Sequence, residues 1–409
     1  MDRDFLRAAR DFYQRINEKT LTWLLDRPRL HGAFLNAKRN SITLRDYDES
    51  DEWRGPNVQY GWIQGRGLEA LIMHARALRE RNPALAVRLI ETARPLYQAL
   101  SELAARDGHA YFTYDKTLRP IFPGADGASE LQSPAGDLFT YSDIFVFKGL
   151  LAASTEFDSG ATAAHADRLA AIVEAIEDGR FVMEEKQRLA NDALAAQHDE
   201  YGPRMIMLGA AALLSNLGFA QSAAFAGRFI AHVLERHLVR GVVADGALLR
   251  DAANGDRCNP GHAIEFVGLA LECASAVDHR AQLSVLQDIL ATSFELGFSP
   301  PGLRLSVSLG DGATLNDKCP WWSLPEAVRS AALVYRLTGD ERAFDVWRRS
   351  HDAFAKDYWR DDASLAYQTR TEAGPVDYTP ATPDLDPGYH TGLSFLSAIE
   401  TIDALLAER

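Results

Sequence analysis

Cysteine is scarce in this chain of 409 residues: Cys258, Cys273 and Cys319 are the whole complement. So odd and thin a set builds no disulfide framework, which points to a reducing compartment. No apolar run approaches the roughly 18 residues of a membrane-spanning helix, and the start, Met1-Asp2-Arg3-Asp4-Phe5, leads into a charged amphipathic stretch. A cytoplasmic location and no membrane partner are therefore expected. Basic residues are outnumbered: 43 Lys and Arg face 57 Asp and Glu, for a net charge of −14, which repels phosphate backbones and argues against a nucleic-acid partner. The chain also lacks a Walker A run, G-x-S-x-G, C-x-x-C, H-E-x-x-H and a complete G-x-G-x-x-G. No cofactor is expected on that ground. Cys258 and His262 would give a metal two ligands, but no paired second half follows, so no metal is expected either.

What is present is helical periodicity. Apolar residues at 47% with 24% charged suit a folded chain with a sizeable core. Stretches such as Ala84 to Ala105 and Ala343 to Tyr358 mix apolar residues at three- and four-residue spacing with charges on the opposite face. Others, such as Ser142 to Ser154, Met205 to Gly218, Ala263 to Ala276 and Thr391 to Ile402, are nearly free of charge and predict buried helices. The low-charge stretches begin near residues 62, 143, 204, 260, 320 and 388, with a charged-face helix after each of the first five. Asp4 to Leu25 supplies the sixth. Spacings of roughly 60 to 80 residues without Pro- or Ser-rich linkers predict stacked helical hairpins. The expected fold is all-α, an (α/α)6 barrel of six hairpins in one domain over residues 1–409. Long loops belong over one end, and Ala110 to Asp115 and Leu365 to Tyr378 read as β-like.

Two helix starts look alike. Asn259-Pro260-Gly261-His262-Ala263-Ile264-Glu265 and Asp386-Pro387-Gly388-Tyr389-His390 each set a capping residue, then Pro at the first helical position, then a His in the first turn. The pattern predicts two imidazoles at one end of the barrel. A helix N-terminus disfavours added positive charge, so an imidazole there stays neutral and accepts a proton. The competing reading of either His is a hydrogen-bonded core or capping residue. Glu265, three residues after His262, shares its helix face and would orient a ring or bind a sugar hydroxyl. Aromatic residues crowd two further starts, Tyr60-Gly61-Trp62-Ile63-Gln64-Gly65-Arg66 and Pro320-Trp321-Trp322-Ser323-Leu324-Pro325-Glu326. Flat rings suit pyranose faces, while Arg and Glu bind hydroxyl and carbonyl oxygens. Core packing is the alternative for one of Trp321 and Trp322, and a structural ion pair the alternative for Arg66.

Trp62-Ile63-Gln64-Gly65-Arg66, Asn259-Pro260-Gly261-His262 through Glu265, Trp321-Trp322 with Glu326, and the late His390 resemble, in that order, the motifs of the N-acylglucosamine 2-epimerase superfamily. The resemblance runs over nearly the whole chain. It implies an (α/α)6 barrel and proton transfer next to C1 of a sugar without a redox cofactor. It also implies His262 and His390 as the acid/base pair, with Arg66, Glu265, Trp321, Trp322, Glu326, Trp62 and Tyr114 around the substrate. Cellobiose epimerases and aldose-ketose isomerases carry a further His on the third inner helix, where this chain reads Gly202-Pro203-Arg204-Met205-Ile206-Met207. That stretch is more similar to the N-acetylglucosamine branch, with His198 just upstream as a substitute candidate. The expected activity is a sugar 2-epimerase on N-acetylglucosamine and N-acetylmannosamine or a close aldose. An aldose-ketose isomerase of the mannose-to-fructose type is the alternative. A glycoside hydrolase using Asp361 or Glu326, and a non-catalytic binding module, are the readings from other classes. The expected partner is a small-molecule sugar, and the candidate assembly is a homodimer.

Overall fold

The computed structural model describes residues 2–219, 223–242, 246–273, 278–379 and 381–408. Among them are thirteen α-helices: α1 (Arg3–Leu25), α2 (Gly61–Leu78), α3 (Pro83–Asp107), α4 (Tyr141–Phe157), α5 (Thr162–Glu177), α6 (Asn191–Ala195), α7 (Gly202–Asn216), α8 (Phe225–Arg236), α9 (Pro260–Glu272), α10 (Leu283–Gly297), α11 (Ser323–Thr338), α12 (Glu341–Ala353) and α13 (His390–Ala407). The six low-charge stretches are α2, α4, α7, α9, α11 and α13. The charged-face helices follow them as expected, and α6 is a short addition. Of the expected stretch Ala263 to Ala276, residues 274–276 lie outside the described residues.

Two compact units form. One holds residues 21–198 and 381–389, the other residues 1–20, 199–380 and 390–409. In the first, α2 packs on α3 and α4, and α4 on α5. Without a wet side, α4 is buried along its whole length from Ser142 to Ser154. Each large apolar side chain so enclosed contributes about 1.5–3 kcal/mol. Backbones approach closely there, since a Cβ on Gly65 would stand 2.6 Å from the main chain of Phe145. No rotamer change relieves that contact, so position 65 accepts only glycine without a shift of the two helices. In the second unit α11 packs on α9, α12 and α13, and α9 on α7 and α10.

Short strands prepare the starts of low-charge helices. Gln59–Tyr60 pairs with Thr113–Tyr114 and runs directly into α2, while Phe139–Thr140 pairs with Phe181–Val182 ahead of α4. In the other unit Arg257–Cys258 pairs with Val307–Ser308 before α9, and Cys319–Pro320 with Thr369–Arg370 before α11. Ladder hydrogen bonds fix where each helix begins, and the first-turn side chains are aimed by that start. Both stretches read as β-like, 110–115 and 365–378, contain such strands.

Candidate active site

In the unit built on α7 to α13, Asn259 caps α9 by accepting the amide of His262 at 3.1 Å, with Pro260 at the first helical position. Gly261 is required: a Cβ there would stand 2.9 Å from the Trp322 ring. With that space open, the Trp322 indole lies stacked against the His262 imidazole at 5.1 Å and 27°. The same indole lies 5.8 Å from the His390 ring at 38°. One buried indole therefore carries both imidazoles. Burial first, then the charges of His390 and Arg257, push His262 down to about 4, with Glu326 opposing. His262 is thus neutral near pH 7.

His390 has different company. Its Nδ1 lies 2.9 Å from Oε1 of Glu326, and a carboxylate only accepts, so Nδ1 carries the hydrogen and any proton this ring moves is moved at Nε2. Oε2 of Glu326 holds the guanidinium of Arg329. Burial alone would raise the Glu326 carboxyl, but Arg329 and the His390 hydrogen bond more than offset it and hold Glu326 below its ordinary value. One donor atom from each of Glu265, Glu326 and His390 lies within 4.8 Å of the others. Arg329 already supplies a cation to Glu326 there, and Glu326 and His390 are hydrogen-bonded. A second group of this kind, Asp199 with His232 and His237, likewise has cations on its carboxylate, Arg204 at 3.3 Å and Arg236 at 3.7 Å.

The local structure departs from the sequence reading at the second start. Asp386 does not cap α13, which begins at His390 itself. Gly388 takes a left-handed φ of +84°, and Asp386 accepts the amide of Tyr389 at 2.9 Å, closing a turn ahead of the helix. Glu265 comes together with Glu326 and His390. Trp321 is half-buried, with its amide on Gln368 at 2.9 Å. His198 lies before α7 in irregular backbone. Asp361, weighed above as a hydrolytic acid, is a surface carboxylate. Hydrogen bonds from Lys19 and then Trp359 pull it down to about 2, so it holds no proton to donate near neutrality.

In the unit built on α2 to α6, Arg66 lies over three rings, its guanidinium carbon 4.0 Å from the Phe145 centroid, 4.9 Å from Trp62 and 5.4 Å from Tyr389. Beneath them Lys148 sits 3.2 Å from Glu69 and donates to the Tyr389 hydroxyl at 2.8 Å. Burial would discharge Lys148, but Glu69 and Tyr389 more than offset it and hold its pKa above the usual lysine value. Burial pushes Tyr389 up to about 12. The Trp62 indole donates to Glu185, which also accepts the Ser142 amide at 3.0 Å, and burial pushes Glu185 up to about 7. Tyr114 is buried, its hydroxyl accepting from the Tyr111 amide at 2.9 Å. Lys148, Tyr389, Glu185 and Arg329 were not singled out in the sequence. Lys148 carried the signal that marked Arg66, a cation on a low-charge helix.

Residues 134–378 match the model of the N-acylglucosamine 2-epimerase family, more than half of the chain. The chain belongs to this family. No curated protein matches it by sequence. Among solved structures it is similar to a D-mannose isomerase, at 15% identity over 96% of this chain and 98% of the other with a TM-score of 0.71. It is also similar to the cellobiose 2-epimerase of Bacillus thermoamylovorans B4167, at 16% identity over 95% and 99% with a TM-score of 0.72. The cellobiose 2-epimerase of Spirochaeta thermophila DSM 6192 gives 16% identity over 98% of each chain and a TM-score of 0.69. The protein has the (α/α)6 fold of the epimerases, 56% helical, with short strands and no closed sheet among the described residues. As a member of the N-acylglucosamine 2-epimerase family it is a sugar epimerase or isomerase. No described helix is long and apolar enough to cross a membrane.

Proposed function

We propose that this family member is a sugar 2-epimerase acting on N-acetylglucosamine and N-acetylmannosamine, or on a close aldose, through His262 and His390. The observation that carries the proposal is the unequal pair of imidazoles on one indole, one pushed neutral by burial and the other hydrogen-bonded to a buried carboxylate. His262 takes the C2 proton of the ring-opened sugar. The electron pair moves onto the C1 carbonyl oxygen, giving an enolate, which is an enediolate where C2 carries a hydroxyl, and His390 returns a proton from Nε2 to the opposite face of C2. In the reverse direction the two exchange roles. Glu326 fixes the tautomer of His390, and Trp322 keeps both rings in place. Glu265 and Trp321 complete the substrate contacts in this unit. Arg66, Trp62 and Tyr114 enter through the family resemblance, Arg66 stabilising the enolate oxygen.

The N-acetyl preference is supported by the first turns of α7, whose own residues include the buried Met205 and Met207 and no histidine. One catalytic domain over residues 1–409 is supported by likenesses that run along nearly the whole chain. A reducing, cytoplasmic setting is supported by three free, buried cysteines. Incubation with aldoses, ketoses and N-acetylhexosamines in deuterium oxide, read by NMR, tests the function. Deuterium at C2 of an inverted aldose is expected. Deuterium at C1 of a ketose would instead make the protein an aldose-ketose isomerase, and no exchange in any sugar would overturn both.

A further inference from the structure

We propose that Arg329 is a positioning residue that keeps Glu326 ionised and His390 in one tautomer, and so sets the pH range of turnover; this rests on the reading of His390 as an acid/base group. Arg329 lies one turn after Glu326 on α11, and its guanidinium meets Oε2 while His390 occupies Oε1 at 2.9 Å. The side chain is held on all sides. It is 6% exposed, and its Nη1 lies 3.5 Å from Glu272 of α9. Gly268 of α9 leaves the room it needs, since a Cβ there would stand 3.0 Å from Arg329 Nε and 2.5 Å from Ser330 Oγ. Ser330 cannot give way cheaply, because its hydroxyl donates to the Ile264 carbonyl at 2.7 Å.

The charges facing this pair explain why a permanent cation is needed. Glu265 and Glu272 face it from α9, and Glu400 on α13 feels Glu272 in turn. His262 stacks on Trp322 and feels the charges of His390 and Arg257. Glu265 and Glu326 bring carboxylate oxygens within 4.8 Å of each other. Two carboxylates that close share a proton unless a cation prevents it. Were Glu326 to hold that proton, it would donate to Nδ1 and reverse the His390 tautomer, fixing the hydrogen on Nε2 so that this atom could no longer take up a proton. Arg329 prevents this because its guanidinium stays charged at every working pH.

The test is a pH–rate profile of the deuterium-exchange reaction, with melting temperatures, for Arg329→Met, Arg329→Lys and His390→Ala. Arg329→Met is expected to lower kcat about tenfold at neutral pH and to move the profile about one unit towards higher pH, the direction in which losing a cation shifts every neighbouring group. Arg329→Lys keeps the charge and loses the fork, so it gives up part of kcat with the profile in place. If methionine is not accommodated, Glu272→Gln tests the same field with opposite sign and moves the profile towards lower pH. A lowered melting temperature with an unmoved profile in Arg329→Met, or no displacement in Glu272→Gln, overturns the proposal while leaving His390 in its role. Near-normal turnover in His390→Ala would overturn that role and this inference with it.

Discussion

The two units hold charge in opposite ways. Around α9, α11 and α13 the titratable groups are imidazoles and carboxylates whose environments push their protonation apart, His262 kept neutral and His390 set on an ionised Glu326. Around α2 and α4 the central groups are cations that keep their protons: Arg66 over Phe145, Trp62 and Tyr389, and Lys148 between Glu69 and Tyr389. The first arrangement can move a proton. The second presents positive charge and aromatic surface, with the buried Glu185 beside Trp62. The difference teaches that burial by itself does not mark function, because buried ionic groups occur in both units. What separates them is that one indole carries two imidazoles in the first unit, while two buried cations share the Tyr389 ring in the second.

The strongest way to break the comparison is to remove the imidazoles. His262→Ala and His390→Ala are each expected to lower turnover at least about a hundredfold without unfolding the protein, as removal of a positioned acid or base does. Circular dichroism with deuterium washout measures both. One variant should still exchange the C2 proton of a single epimer, since the surviving ring reaches one face. Near-wild-type turnover would take that His out of the mechanism.

Arg66→Lys sharpens the comparison from the other side. A point ammonium lacks the planar surface that lies over Phe145 and Trp62, so kcat is expected to fall about tenfold, more than KM rises. Steady-state kinetics and a melting curve on one purified variant decide. Unchanged kcat with a lowered melting temperature would make Arg66 a structural cation.

The smallest effect concerns stability against pH. Burial pushes His74 in the α2 unit down to about 4 from an ordinary 6.5, and it pushes His262 down to about 4. The unfolded chain then binds more protons than the folded one between those values. The stability of the neutral rings is fully present above about pH 6.5 and is lost as the pH falls towards 4. Melting temperatures should decline over that window, and His74→Gln, which keeps a donor for the Gly388 carbonyl 3.1 Å away, should flatten the decline by a few degrees at most. An unchanged slope would mean that His74 titrates alike in both states.

Much of the fold was legible because helix type follows from periodicity. Stretches without charge have no wet face, and all six starts fell within a few residues of α2, α4, α7, α9, α11 and α13. His262 was legible through its Asn-Pro cap, a local signal. The start at His390 was misjudged because Asp386-Pro387-Gly388 reads as a cap, while the left-handed Gly388 makes it a turn. Glu326 was picked out by its neighbouring tryptophans, but its bond to His390 spans 64 positions and leaves no trace in local pattern. Arg329, three residues after Glu326, and Lys148, a cation on a low-charge helix, carry local signals, but their burial and their partners on other helices do not show in the sequence.

By itself, then, the sequence determined the kinds of helices, their order, and which helix starts carry rings and imidazoles, because backbone propensity and hydrophobic period act over one or two turns. The tertiary structure alone decided which of those groups share a proton. That depends on distances of about 3 Å between residues far apart in the chain, and on how much water burial removes from each. His262 is neutral because it is enclosed against Trp322 beside other positive charge, and His390 stands on a carboxylate held ionised by Arg329. Neither state is a property of histidine or of the residues next to it.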